Sequence, residues 1–148
     1  MPNVEQLEKL MRPGISSQGG FLGSEEKLVN LLAEDESAVK NLGITHEQIA
    51  ARIEYFIRAV GYPSREGKVI DSNFRVSGIT YRGIQECPWK DSGNYSNLDF
   101  VITNLRLNES LPFPGLIVHL IRMHHFYEGR KSPYRVDPEL AARILVIK

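Results

Sequence analysis

The chain has 148 residues, of which 42% are hydrophobic and 24% are charged, so its size and composition are typical of one globular domain with a buried core. Its 18 basic and 18 acidic side chains cancel, which excludes a general positive field that would attract nucleic acid or an anionic membrane. Cys87 is the only cysteine, which excludes an intramolecular disulfide and favours a reducing compartment.

The first half of the chain has the pattern of helices. Val4, Leu7 and Met11 repeat at helical spacing before Pro13. Ser24 is a candidate N-cap for a second helix, because two glutamates follow it where a helix dipole favours negative charge.

The third helix has the clearest start signal. Thr45 as N-cap and Gln48 three residues later form a capping-box pattern, and Gly61 followed by Pro63 predicts the end of the helix. We expect His46, in the first turn, to be exposed. The apolar positions of this helix are Ile49, Ile53, Phe56, Ile57 and Val60.

The pattern then changes to that of strands. Residues 68 to 84 are rich in β-branched and aromatic residues and predict two or three short strands, with a break near Ser77 and Gly78. Residues 98 to 105 predict another strand, which leads into a hairpin. Prolines at 112 and 114 place the returning strand at a sheet edge, since proline lacks a backbone donor.

Residues 113 to 129 place three of the four histidines in the most apolar helical segment. We expect this helix to begin near Pro114 and to end at Gly129. Asp137 as cap and Pro138 at the first position then predict a last short helix.

This order predicts an α+β fold with N-terminal helices, a small antiparallel sheet and a buried central C-terminal helix packed on the sheet. We expect a single domain over residues 1 to 148. Its helical part is residues 1 to 62, and its strand and histidine-helix part is residues 63 to 148.

The histidines are the main candidate functional residues. At about 100° per residue, His119, Arg122 and His125 share one face of the predicted helix, whereas His124 points about 140° away from His119. A face that opens onto a cleft near Cys87 would be a working surface. The alternative is that the rings hydrogen-bond within the core.

A metal site is one interpretation of this pattern. His119 and His124, or His119 and His125, have the spacing of zinc-binding histidine pairs, and Cys87 lies upstream at the end of a strand pair. A second cysteine is absent, so only Asp91 or a water is left to complete the site. Cys87 with two histidines and an open position would instead be a catalytic arrangement, with zinc activating water.

A metal-free enzyme is the second interpretation. Cys87 would be the nucleophile, His119 or His125 its base, and Asp99 the group that orients the base. Against this, Cys87 precedes proline and does not begin a helix, so no helix N-terminus is predicted to lower the pKa of the thiol.

Binding of an anion or of a protein is the third interpretation. Arg82 and Arg122 could hold an anionic ligand beside the histidines. Tyr134 and Arg135, between two prolines, could face outward as interface anchors or equally lock the last helix onto the domain. A basic rim around the histidines, with ordinary solvated charge as the simpler alternative, would comprise Arg122, Arg130, Lys131, Arg135 and Arg143.

The sequence therefore predicts a small binding or regulatory module with a His/Cys-lined site, with zinc or without a cofactor. The alternative is a small hydrolase or transferase that uses a Cys–His pair or a zinc-bound water. We expect a cytoplasmic protein, because residues 1 to 10 lack a secretion-signal pattern. The expected partner is another protein or a small anionic ligand, and neither nucleic acid nor a membrane is favoured.

Overall fold

A computed structural model describes residues 3 to 13, 20 to 91 and 95 to 148, apart from the side chains of residues 84, 95 and 96. These residues form five helices and one four-stranded antiparallel sheet, which confirms the α+β class. The helices are α1 (Val4–Met11), α2 (Leu28–Asn41), α3 (His46–Val60), α4 (Ile117–His124) and α5 (Pro138–Leu145). The strands are β1 (Lys68–Ile70), β2 (Phe74–Gln85), β3 (Tyr95–Asn104) and β4 (Glu109–Pro114).

The sheet is a meander with the strand order β1-β2-β3-β4. β4 contains both Pro112 and Pro114 and lies at an edge, as predicted. β2 does not break at Ser77 and Gly78, so that expectation is wrong. Gly78 pairs with Phe100 of β3, and a Cβ at Gly78 would lie 2.5 Å from Pro63 Cβ, so the glycine makes room for the preceding segment.

One face of the sheet and the inner faces of the helices form the core. Helices α3 and α5 pack on the sheet, and α4 packs on α3. The strand residues of this core alternate along each strand, as expected when one face is buried. They include Phe74, Val76, Phe100, Ile102, Leu111 and Phe113.

The predicted helix starts hold where a cap residue acts within one turn. Thr45 accepts the backbone N–H of Gln48, and the Gln48 side chain accepts the N–H of Thr45, which completes the capping box. Asp137 accepts the N–H of Leu140 ahead of Pro138. Both helices begin at the residues that the sequence indicates.

The start of α2 differs from the prediction. The helix begins at Leu28, with Lys27 as an N-cap that makes no side-chain hydrogen bond, and not at Ser24. The reason is that the side chain of Glu26, which the prediction placed in the first turn of this helix, binds backbone groups of other segments. Its carboxylate accepts backbone N–H groups from Gly23 and from residues 130 and 131, and so joins two distant segments.

The end of α4 also differs. The helix is Ile117–His124 and not residues 114 to 129, because β4 extends through Pro114 and His125 takes a left-handed conformation with φ 55°. After His125 the backbone hydrogen-bonds to a later segment and no longer within a helix: the Val136 N–H donates to the Tyr127 carbonyl at 3.1 Å. His125 therefore does not continue the face of His119 and Arg122, and the predicted single stripe is wrong.

None of the helices in the described part of the chain is both long enough and apolar enough to cross a membrane. The division into two parts at residue 62 falls between α3 and β1.

Candidate metal centre

Four side chains that bind metals come together beside α4: Cys87, Asp91, His119 and His124. One ligand atom of each lies within 4.8 Å of the ligand atoms of the others. Cys87 lies just after β2 and is only 3% exposed, whereas the histidines are on α4. The three candidate ligands named from the sequence are thus brought together, with Asp91 as the fourth group.

A tight turn presents the thiol. The Lys90 N–H donates to the Cys87 carbonyl at 2.9 Å, and Lys90 has the left-handed φ of 58°. The backbone N–H groups of Trp89 and Lys90 also hydrogen-bond the Cys87 sulfur. Backbone donors aimed at sulfur stabilise a thiolate, and a strained residue in such a turn is typical of functional sites.

Both histidines direct Nε2 to the same carboxylate. His119 Nε2 lies 3.1 Å from Asp91 Oδ1, and His124 Nε2 lies 2.7 Å from Asp91 Oδ2. The second contact is close but poorly aligned, because the buried His124 Nε2 has no hydrogen-bond partner among the described residues. A buried nitrogen without a hydrogen-bond partner calls for an explanation, and an ion shared by His124 and Asp91 would supply one.

The arrangement of the two rings fits a single ion. Two imidazoles bound to one tetrahedral ion, with metal–nitrogen distances of about 2.05 Å, have ring centres about 5.2 Å apart. The ring centres of His119 and His124 are 5.3 Å apart, and their planes are inclined by 76°. The histidine pair therefore already has the spacing that zinc requires.

Trp89 holds one of these rings in place. It stacks on His124, with ring centres 4.0 Å apart and planes inclined by 6°. It also contacts Phe126 edge-on, at 5.5 Å between ring centres. The indole thus stacks on one face of the His124 ring and restricts its plane.

The electrostatics of the site favour the neutral forms of Cys87 and His124 and the ionised form of Asp91. Burial raises the pKa of Cys87 to about 11, and the nearby Asp91 carboxylate adds to the rise. Burial lowers the pKa of His124. Burial opposes the ionisation of Asp91, but hydrogen bonds with Cys87 and His119 outweigh it and the pKa falls below its usual value.

The predicted thiol nucleophile gains no support from these properties. An activated cysteine has a lowered pKa and is accessible, whereas Cys87 is buried with a raised pKa. Of the two histidines named as its base, His119 lies in the four-residue cluster and His125 does not, and Asp99, named as the orienting residue, also lies outside it. Asp99 lies on β3, where burial raises its pKa.

The predicted basic rim is largely neutralised by carboxylates. Arg122 pairs with Glu47 and Glu54 on α3, with Nε 2.8 Å from a Glu47 oxygen. Arg135 makes a bidentate pair with the buried Asp35, at 2.8 and 3.0 Å. Two further pairs are Arg130–Glu34 and Arg143–Glu109. These arginines mainly join elements of the fold.

Two other predicted binding residues are exposed. Arg82 lies on β2 with an exposed side chain, and Tyr134 is 40% exposed. Of the two residues between the prolines, which could either face outward or lock the last helix onto the domain, Tyr134 faces outward. Arg135 is turned inward, where it also donates to the Glu128 carbonyl at 2.8 Å.

The sequence prediction missed the environment of His46. The residue is not exposed as expected but 8% exposed, and its ring nitrogens contact Tyr127 and Glu36. Tyr127 is 81 positions away in the chain, so no local pattern indicates this contact.

Comparisons of this chain with protein-family models, with curated proteins and with solved structures found no match.

Proposed function

We propose that the protein is a zinc-binding module in which Cys87, Asp91, His119 and His124 hold one ion. The observation that carries this proposal is the convergence of four donor atoms within 4.8 Å of one another, where Cys87 is buried, both histidines are half-buried and Asp91 is exposed. The ion would join the connection between β2 and β3 to α4.

The donor set favours zinc over the hard cations. One thiolate, two imidazole nitrogens and one carboxylate are ligands that Zn²⁺ takes in tetrahedral geometry, whereas Mg²⁺ and Ca²⁺ prefer oxygen alone. The ring spacing of His119 and His124 supports the same geometry. The need for a reduced Cys87 also agrees with the reducing compartment that the sequence favours.

A structural role is better supported than a catalytic one. Four protein ligands fill a tetrahedral site, while catalytic zinc usually keeps one position for water or substrate. The alternative hydrolase or transferase needs such an open position or an activated Cys87 thiolate, and neither has support in the geometry.

The ion would contribute to folding by linking segments that are distant in the chain. Cys87 and Asp91 lie between β2 and β3, and His119 is 28 positions beyond Asp91. Because a preformed site is absent in an unfolded chain, metal-binding free energy becomes folding free energy. A module of this kind acts through its surface, so we keep a protein partner as the proposed interaction.

The test is metal analysis together with cobalt substitution of protein purified without a histidine tag. We expect one zinc per chain by elemental analysis. Co²⁺ should give the strong visible bands of a tetrahedral ion and a near-ultraviolet thiolate-to-cobalt band. Cys87→Ser should lose the thiolate band, and His124→Ala should lose tight binding.

A histidine outside the cluster provides the matched control. His125→Asn removes the neighbouring imidazole, and asparagine tolerates the left-handed conformation there, so tight binding should persist. The proposal is wrong if the wild-type chain takes up no zinc, or if its cobalt spectrum lacks a thiolate band.

A further inference from the structure

A second cluster, formed by Glu36, His46 and His125, lies apart from the proposed zinc site. One ligand atom of each lies within 4.8 Å of those of the others. The chain has four histidines, and each belongs to one of the two clusters. The adjacent residues His124 and His125 contribute to different clusters, because α4 ends between them.

The His46 ring is fixed through one of its nitrogens, as the rings of metal-binding histidines usually are. Its Nδ1 is hydrogen-bonded to the buried Tyr127 hydroxyl at 2.8 Å, which fixes the ring. Its Nε2 faces the Glu36 carboxylate at 2.6 Å. An imidazole with one nitrogen fixed by a protein partner presents the other nitrogen in a defined direction, and such partners are typical of metal ligands.

His125 is held over His46 by a strained backbone. Its φ of 55° and ψ of 33° are left-handed, a conformation that favours glycine or asparagine at a helix end. This conformation stacks the two imidazoles with ring centres 4.0 Å apart, and it brings His125 Nδ1 to 3.9 Å from Glu36. A strained residue that assembles three donors is a candidate for function.

We propose that Glu36, His46 and His125 form a second, labile site for a divalent transition-metal ion such as zinc. The side chains of His125 and Glu36 are 54% and 41% exposed, so the ion enters directly from solvent. Water fills the remaining coordination positions, since the cluster supplies three ligands.

Geometry makes this site weaker than the first. The rings of His46 and His125 are nearly parallel, inclined by 7°. A metal ion lies in the plane of each imidazole that binds it, so two stacked parallel rings cannot bind the same ion. His125 must therefore turn before both nitrogens bind, which its exposure permits. In the first cluster the rings are already 5.3 Å apart and inclined, so no such turn is needed.

The experiment is a calorimetric titration of the full chain with Zn²⁺ after one equivalent has been bound. We expect a second equivalent with an affinity at least about tenfold weaker than the first. His125→Asn and Glu36→Gln should each remove this weaker event and leave the tighter one. Glu139→Gln, an exposed carboxylate on α5, is the control and should change neither.

Nitrogen NMR of the histidine rings gives a second readout, because His46 and His125 should shift only with the second equivalent. The inference is overturned if wild type shows only the tight binding event, or if the weaker event persists in both His125→Asn and Glu36→Gln. A weak event without a tight one would refute the first site and leave this one standing.

Discussion

Replacing Glu128 by glutamine should stabilise the protein increasingly as the pH rises from about 5 to about 7. Glu128 is only 2% exposed, and the Ser132 hydroxyl donates to its carboxyl oxygen at 2.8 Å. Burial raises the pKa of this carboxyl from 4.5 to about 8, and the negative charge of Asp99 adds to the rise. The folded protein therefore keeps a proton that the unfolded chain has lost.

The pKa difference sets the magnitude. Because the folded state binds more protons between pH 4.5 and about 8, the free energy of unfolding falls as the pH rises through that window. A difference of about 3.5, at about 1.4 kcal/mol for each pKa unit, limits the fall to about 5 kcal/mol. From about pH 5 to about pH 7 the expected loss is about 3 kcal/mol. Glutamine has the same shape but no proton to lose.

The assay is urea unfolding of wild type and Glu128→Gln at several pH values across this range. The difference in unfolding free energy between the two proteins should grow by about 3 kcal/mol in favour of the variant. Glu139→Gln, on the exposed side of α5, controls for the loss of one carboxylate and should show the wild-type profile. Parallel profiles for wild type and Glu128→Gln would refute the raised pKa of Glu128.

Three further predictions concern stability, each measured by urea unfolding at neutral pH. Thr45→Ala removes the side-chain acceptor that caps α3 and should cost about 1 kcal/mol, whereas Thr45→Ser should cost less. Arg135→Met leaves the carboxylate of Asp35 buried without its partner and should cost about 3–5 kcal/mol, most of it recovered when Asp35 is also made Leu. Gly129→Ala places a Cβ 2.9 Å from Leu22 Cα and should cost about 1–3 kcal/mol; no loss would contradict the close packing there.

The helix starts were predictable because their determinants lie within a few residues. Thr45 and Gln48 exchange side-chain to backbone hydrogen bonds across one turn, and the Asp137 side chain accepts the N–H of Leu140. Most strands could also be recognised from their β-branched residues. Gly78 was misleading, since only the packing of Pro63 on β2 shows why a glycine is needed inside the strand.

The candidate site was partly predictable because some of its residues lie close together in the sequence. The spacing of His119 and His124 named one of two candidate histidine pairs, and Cys87 was named with either Asp91 or a water to complete the site. The sequence did not indicate which histidine pair would converge. On an ideal helix His125 shares the face of His119, but the chain leaves the helix at His125 and sends that ring to another cluster.

Local sequence alone determined the class of fold and the caps of α3 and α5, because periodic patterns and caps depend on residues close together in the chain. It also named candidate metal ligands, but not that Cys87 and Asp91 would meet the histidines of α4. Tertiary structure decided where α4 ends, that His46 is buried and how the histidines divide between two clusters. The physical reason is that these features depend on partners far apart in the chain. Examples are Tyr127 for His46 and the bond from Val136 that draws the backbone away after His125.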